Sequence, residues 1–296
     1  MTAAARRFVS AEEDSARWAE FPFRPGDIVI STRSKHGTTW MQMICALLVF
    51  RTPDLPAPLS ELSPWLDRLT EPQPELFARL AAQDHRRFLK THTPLAGIPI
   101  EPEVAYIVVA RDPLDAAVSL YHQGANIDRA VLRRLTAQPE PDAPSAARPD
   151  LHEWLVEWIE NDPAPEESFE SLPGVLWHLT GAWERRSEPN ILLAHYDDLQ
   201  RDLERAMREL AGRLRIEIDE PVWPALVRAA SFSEMRARAE ALLPDRNGIL
   251  KDPTAFFRRG TSGAAREVLS EAELRRYEEH ASRHAPAGLL EWLHRL

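Results

Sequence analysis

One cysteine, Cys45, occurs in 296 residues. No disulfide can form within the chain, and a reducing compartment is the expected setting. Long apolar runs are also missing. The longest, Met41–Phe50, is broken by Gln42 and is about half the length a bilayer-spanning helix needs. The N-terminus, MTAAARRFVSAEED, has no apolar centre of the kind a secretory signal carries. Basic charge is in deficit: 36 Lys and Arg face 46 Asp and Glu, for a net charge of −10. That argues against a general nucleic-acid or anionic-membrane binder, because such partners select basic surfaces. A cytoplasmic protein is expected, one that must gather its cations locally wherever it meets an anion.

Such a place stands near the start. Asp27–Phe50, DIVISTRSKHGTTWMQMICALLVF, compresses an apolar strand (Ile28, Val29, Ile30), a polar loop (Ser31–Gly37) and an amphipathic helix from Thr38. A helix entered from such a loop points free backbone N–H groups and the positive end of its dipole at whatever fills the loop. With Lys35 before Gly37 and the hydroxyls of Thr38 and Thr39 behind it, the natural occupant is a phosphate or sulfate. The Walker pattern places its Lys after the second Gly; here Lys35 precedes Gly37, a poor fit to nucleotide triphosphatases. Cys45 lies in the apolar face of this helix and reads as inert core.

Further apolar runs read as buried strands: Arg87–Lys90, Val104–Ala110 and Ile191–Ala194, the last two followed by helical patterns over Pro113–Gln123 and Asp198–Leu214. Alternating strands and helices predict an α/β fold, a central parallel sheet between helical layers. Ligands of such sheets bind beyond the C-terminal strand ends, where Lys35, His92, Arg111 and Tyr196 all fall. A single domain is expected over 1–296, its core beginning near residue 20. Proline-bearing stretches at 52–75 and 137–170, the latter with a short helix Leu151–Glu160, read as lids or acceptor-side walls. Trp154 and Trp158 share a face of that helix and read as core.

The order K-x-G-T-T-W from Lys35 to Trp40 resembles the 5′-phosphosulfate loop of the cytosolic sulfotransferase family, usually PKSGTTW, and five more segments follow in family order: FLKTHTP (88–94), ARDPLDAAVSLY (110–121), HYDDL (195–199), SFSEM (231–235) and FRRG (257–260). SPWLD, HRRFLKTHTPL and FFRRG are similar in particular to bacterial glycolipid sulfotransferases. The resemblance implies a P-loop-like three-layer α/β/α fold and transfer of a sulfuryl group from 3′-phosphoadenosine 5′-phosphosulfate (PAPS) to a hydroxyl acceptor, without a metal. It implies His92 as general base and Lys35 at the leaving-group oxygen. His36, Gly37, Thr38, Thr39 and Trp40 would belong to the donor loop. Arg111 and Ser119 would hold the 3′-phosphate and Phe257, Arg258, Arg259 and Gly260 would close over it, with Trp40, Tyr196, Ser231, Phe232 and Met235 near adenine. Residues 243–263 would close over the donor. Pro64, Trp65, Leu66 and Lys90 would wall the acceptor, a phenol, a steroid-like alcohol or a glycolipid that brings transient membrane contact.

The chemistry fits these residue types. Sulfuryl transfer resembles phosphoryl transfer, in line through a loose transition state, so catalysis is positioning plus charge stabilisation. Imidazole suits the base, and guanidinium forks suit the phosphate. Taken singly, each residue also has a bland reading: Lys35 as a solvated loop charge, His92 as a partly buried histidine, Arg111 as a partner of Asp112 or Asp115. Departures from the family pattern are Ser34 and His36 for Pro and Ser, Ala264 and Ala265 for Asp and Trp, and a missing KxxxTVxxxE dimer motif. His36 would place a pH-dependent charge near the donor, or be a solvated side chain. The rivals are an ATP-dependent small-molecule kinase, with Asp112 as magnesium ligand, and a non-catalytic nucleotide-binding protein.

Overall fold

Asp27 and Arg87 form a buried ion pair where two neighbouring strands begin, and the sheet is built outward from them. The computed structural model describes residues 5–139, 147–242, 247–252 and 254–295. Four parallel strands, β1 (Ile28–Ser31), β2 (Phe88–Thr91), β3 (Ala105–Ala110) and β4 (Ile191–His195), lie in the order β2-β1-β3-β4. β1 pairs with β2 from Ile28↔Phe88 to Ser31↔Thr91, so both strands end level.

Because side chains alternate across a strand, the apolar strands feed two cores, as a sheet covered on both faces requires. Ile28, Ile30, Phe88, Ile107 and Val109 face one way, onto Met41, Ile44, Cys45 and Leu48 of the helix Thr38–Phe50. Val29, Leu89, Tyr106, Val108 and Ala110 face the other way, toward Trp18, Leu176, Leu179 and Leu293. Cys45 is fully buried and its thiol is pushed up to about 12 by desolvation, which keeps it unreactive.

The predicted α/β fold with a central parallel sheet is the observed one. Two local expectations change. The pattern Asp198–Leu214 is two helices, Tyr196–Arg201 and Leu203–Leu214, broken at Asp202. Asp202 takes a non-helical conformation and its carboxylate accepts from the Arg205 N–H, capping the second helix. The core begins before residue 20, since Phe8 and Trp18 are buried. The 52–75 stretch is a packed wall: it carries the helix Leu59–Leu62, and Trp65 bridges to Lys90 on the outer edge of β2. The helix Leu151–Glu160 falls where the sequence placed it, opened by a capping box of Asp150 and Glu153. Among the described residues no helix is long and apolar enough to cross a membrane. Residues 140–146, within the expected 137–170 lid or wall, and residues 243–246 and 253, within the expected donor-closing segment, lie outside the described residues.

Candidate active site

Beyond the C-terminal ends of β1, β2 and β3 lies a cavity of about 510 Å³. The loop after β1 supplies its floor. Lys35 has φ 65° and Gly37 φ 106°, a pair of left-handed residues that turns the chain sharply into the helix Thr38–Phe50. A Cβ at Gly37 would meet the Tyr196 ring at 3.0 Å, so this turn needs glycine for space as well as for φ. Thr38 and Thr39 open the helix and line the cavity, and the buried Thr38 hydroxyl has no hydrogen-bond partner. An unpaired hydroxyl beside open N–H groups fits an incoming anion.

Cations converge over this cradle. Lys35 is partly buried, its Nζ 3.3 Å from Gln123 Oε1 and 4.2 Å from the Phe256 ring centre. Desolvation, with Arg111, Lys90 and Arg258 nearby, lowers its pKa to about 7. Lys90 is lowered to about 8 by desolvation and then by Arg68. Arg111 leaves the end of β3, donates to the Lys35 carbonyl (3.3 Å) and the Thr261 carbonyl (3.0 Å), and lies 4.4 Å over the Tyr196 ring. Its Nε is buried without a partner. A cluster of cations with orphaned donors asks for a polyanion.

His92 follows β2. Its Nδ1 donates to the Thr32 carbonyl, which leaves the lone pair on Nε2. Its pKa is held well below the ordinary value by desolvation, Lys90 and Arg33, so the ring is neutral. Arg33 donates to the His92 carbonyl and pairs with Glu170 at 2.5 Å. The backbone around the ring is tied down by the fully buried Asp67, whose Oδ2 accepts from Trp18 Nε1 (2.9 Å), Thr91 Oγ1 (2.5 Å) and Thr93 Oγ1 (2.6 Å). Trp65 stands edge-on to His92, ring centres 4.5 Å apart, with the Lys90 ammonium 4.3 Å over its face.

The segment 256–263 roofs the other side. Phe256, Phe257, Arg258, Arg259 and Gly260 line the cavity, with Ser119, Trp40, Tyr196, Phe232 and Met235. Asp115 Oδ2 accepts from the Gly263 N–H (2.7 Å), and the Ser262 hydroxyl donates to Asp197 Oδ1 (2.6 Å). Ala264 and Ala265 are buried in the core, forming the start of a 3₁₀ turn.

The structure therefore brings together Lys35, Gly37, Thr38, Thr39, Trp40, Trp65, Lys90, His92, Arg111, Ser119, Tyr196, Phe232, Met235, Phe257, Arg258, Arg259 and Gly260. Four expected residues fall outside the lining. The His36 ring is buried against the Ser34 carbonyl, 2.9 Å away, and desolvation lowers its pKa to about 3, so it brings no pH-dependent charge. Leu66 is fully buried in the core. Pro64 contributes its carbonyl to the Lys90 N–H. Ser231 caps the helix Phe232–Ala237, its hydroxyl accepting from Glu234 N. Asp112, the carboxylate a kinase reading needs, is spent as an N-cap for Leu114 and Asp115 and does not line the cavity. Trp154 and Trp158 stack at 6.5 Å on the core, as their spacing implied.

Several lining residues escaped the sequence reading. Gln123 sits one turn after Ser119, a spacing that was legible. Glu12, Glu13 and Glu170 bring carboxylates to the His92 end, and desolvation raises Glu13 to about 8. Leu120, Ile127, Leu132, Ile249 and Leu250 add an apolar flank.

Residues 25–294 match the model of the sulfotransferase domain. A glycolipid sulfotransferase of Mycobacterium bovis is 41% identical over 95% of this chain and 91% of its own length. Human sulfotransferase 1C2 is 26% identical over 88% of this chain and 83% of its own. Among solved structures, a mouse sulfotransferase complexed with PAP superposes with a TM-score of 0.67 at 20% identity, covering 91% of this chain and 87% of that one.

Proposed function

The chain belongs to the sulfotransferase family, and we propose that it moves the sulfuryl group of PAPS to a hydroxyl on the sugar of a glycolipid. The observation that carries this reading is one cavity with two unlike ends: Lys35, Arg111 and Arg258 at one, and a neutral, tautomer-fixed His92 with Trp65 and carboxylates at the other.

In this reading the N–H groups and hydroxyls of Thr38 and Thr39 hold the 5′-phosphate. Lys35 takes up a proton as the anion arrives and neutralises charge on the leaving oxygen. Ser119, Arg111, Arg258 and Arg259 pair with the 3′-phosphate, and Trp40, Tyr196, Phe232, Met235 and Phe257 supply apolar surface for adenine. The acceptor hydroxyl gives its proton to His92 Nε2 as its oxygen attacks sulfur. Arg33 and Asp67 keep that ring where the in-line geometry needs it.

The acceptor assignment rests on the composition of the cavity lining beyond the cations. An aromatic face beside partly buried carboxylates suits a polyhydroxylated ring, and the flank of Leu120, Ile127, Leu132, Ile249 and Leu250 suits an alkyl chain. The mycobacterial relative's name points the same way. The test is incubation with sulfur-labelled PAPS, a glycolipid extract and a panel of phenols, with and without EDTA. Label on a glycolipid, unaffected by EDTA, is the expected result. Label on phenols alone would remove the glycolipid assignment, and magnesium-dependent phosphorylation from ATP would replace the reaction class with a kinase.

A further inference from the structure

Away from the donor cavity, and sharing no residue with it, three potential ligand atoms meet where the helix Glu271–His284 ends. His280 and His284 stand one turn apart on its face, and Asp162 reaches them from just beyond the helix Leu151–Glu160. The His280 Nε2 to His284 Nε2 separation is 3.1 Å, Asp162 Oδ1 to His284 Nε2 is 3.0 Å, and Asp162 Oδ1 to His280 Nε2 is 3.4 Å. All three atoms close one small triangle.

Hydrogen bonding alone serves this triangle poorly. His280 is buried, and its Nδ1 donates to the Ile159 carbonyl, so the lone pair of the neutral ring is on Nε2. A single proton on His284 Nε2 points along one edge. Adding another on His280 sets two N–H groups face to face across 3.1 Å. A cation accepts all three lone pairs at once. Ligand atoms about 2.0–2.1 Å from a tetrahedral zinc stand about 3.3 Å from one another, close to the three observed edges. The Nδ1 contact to a backbone carbonyl is also the outer-shell bond that metal-bound histidines use to fix their orientation.

We propose that Asp162, His280 and His284 form a binding site for a divalent transition metal of the zinc type, with water in the fourth position. Two imidazoles and one carboxylate are a borderline ligand set, suited to zinc, cobalt or nickel rather than to magnesium or calcium. Asp162 is half exposed and His284 partly so, which gives an entry path and a place for the water. The metal would cross-link two segments 118 or more residues apart in sequence, the turn after Glu160 and the helix Glu271–His284. The spacing His-x-x-x-His on one helical face is the trace of this site in the sequence.

The experiment titrates the chelator-stripped full chain with Co²⁺, reading visible absorption, and with Zn²⁺, reading Tm. The expected result is one equivalent of Co²⁺ with the intense spectrum of a four-coordinate ion. At a hundredfold excess of Zn²⁺ over Kd, Tm should rise by about 5 °C. Asp162→Ala and His284→Ala, both at accessible side chains, should each weaken binding at least about tenfold while keeping the wild-type circular dichroism. Binding of equal affinity in the wild type and both variants would overturn the assignment, as would the faint spectrum of a six-coordinate ion or the lack of saturable binding. Should a variant fail to fold, the wild-type spectrum and stoichiometry alone decide.

Discussion

The Nδ1 of His92 donates to the Thr32 carbonyl at the end of the neighbouring strand. This bond does for the imidazole what a carboxylate does in a hydrolase triad: it fixes the tautomer and aims Nε2. Here the partner is a neutral carbonyl, whose upward pull on the basicity of the ring is outweighed by desolvation, Lys90 and Arg33, which lower it. An incoming dianionic phosphate offsets those cations. His92→Ala should lower kcat about 100- to 10,000-fold with PAP affinity retained by calorimetry. Full activity in this variant would remove His92 from the chemistry.

Lys35 makes a pH prediction with a definite sign. Its pKa in the free protein is about 7 and that of Lys90 about 8, both lowered chiefly by burial. A bound polyanion raises them, so binding takes up protons at pH 8, where Lys35 is mostly neutral, and hardly any at pH 6, where it is already charged. Calorimetry of PAP binding in buffers of differing ionisation enthalpy reads this directly. Uptake at pH 8 should fall by about one proton in Lys35→Ala; equal uptake at pH 6 and pH 8 would contradict it.

The second anion site is tested by ligand comparison. One guanidinium bond to phosphate contributes about 1.5–3 kcal/mol, so PAP should bind at least about 10- to 100-fold more tightly than AMP. Arg111→Lys should narrow that gap, because an ammonium cannot reproduce the fork. The same affinity for both nucleotides would mean that Arg111, Arg258 and Arg259 serve another purpose.

Gly260 has φ 64°, and a Cβ there would come within 2.6 Å of the Phe232 ring. Gly260→Ala forces a left-handed alanine, costing about 1–2 kcal/mol, and pushes on the Phe232 ring that lines the cavity. PAP affinity should drop about tenfold, with kcat at saturating donor changed much less.

Asp67→Ala leaves the Trp18 N–H and the hydroxyls of Thr91 and Thr93 without their shared acceptor. A loss of about 3 kcal/mol is expected in urea unfolding, as a lower midpoint at constant m. Asp67→Asn, which keeps an acceptor oxygen, should lose less.

How far the sequence carries differs between kinds of residue. Lys35, His92, Arg111 and Ser119 were legible because each belongs to a short motif whose geometry is local: a loop entering a helix, or the residues just past a strand. Residues that act at long range were silent. Arg33 finds Glu170 across 137 positions, and Asp67 serves Thr91 and Thr93 from another segment; no periodicity announces such meetings. Glu12 and Glu13 lie before the point where the core was expected to begin, yet a bridge from Glu13 to Arg68 brings them to the segment that carries Trp65. The break at Asp202 escaped because the apolar stripe runs on through it, while the cap that ends one helix and starts the next is a one-residue signal. His36 was misplaced for a related reason. A loop residue next to an anion site reads as solvated, and only the three-dimensional turn shows its ring folded inward.

The buried pair Asp27–Arg87 lies at the far end of the sheet from every reacting group, and yet it helps decide where they meet. It clamps the starts of β1 and β2 so that Ser31 and Thr91 finish abreast. From those two ends the chain departs toward Lys35 and toward His92. The span between the Lys35 loop and His92 is thus inherited from strand alignment rather than negotiated between side chains. Arg87→Met would strand the Asp27 carboxylate in the interior, at a cost of about 3–5 kcal/mol. Activity would then fall through lost stability, with every side chain lining the cavity unchanged.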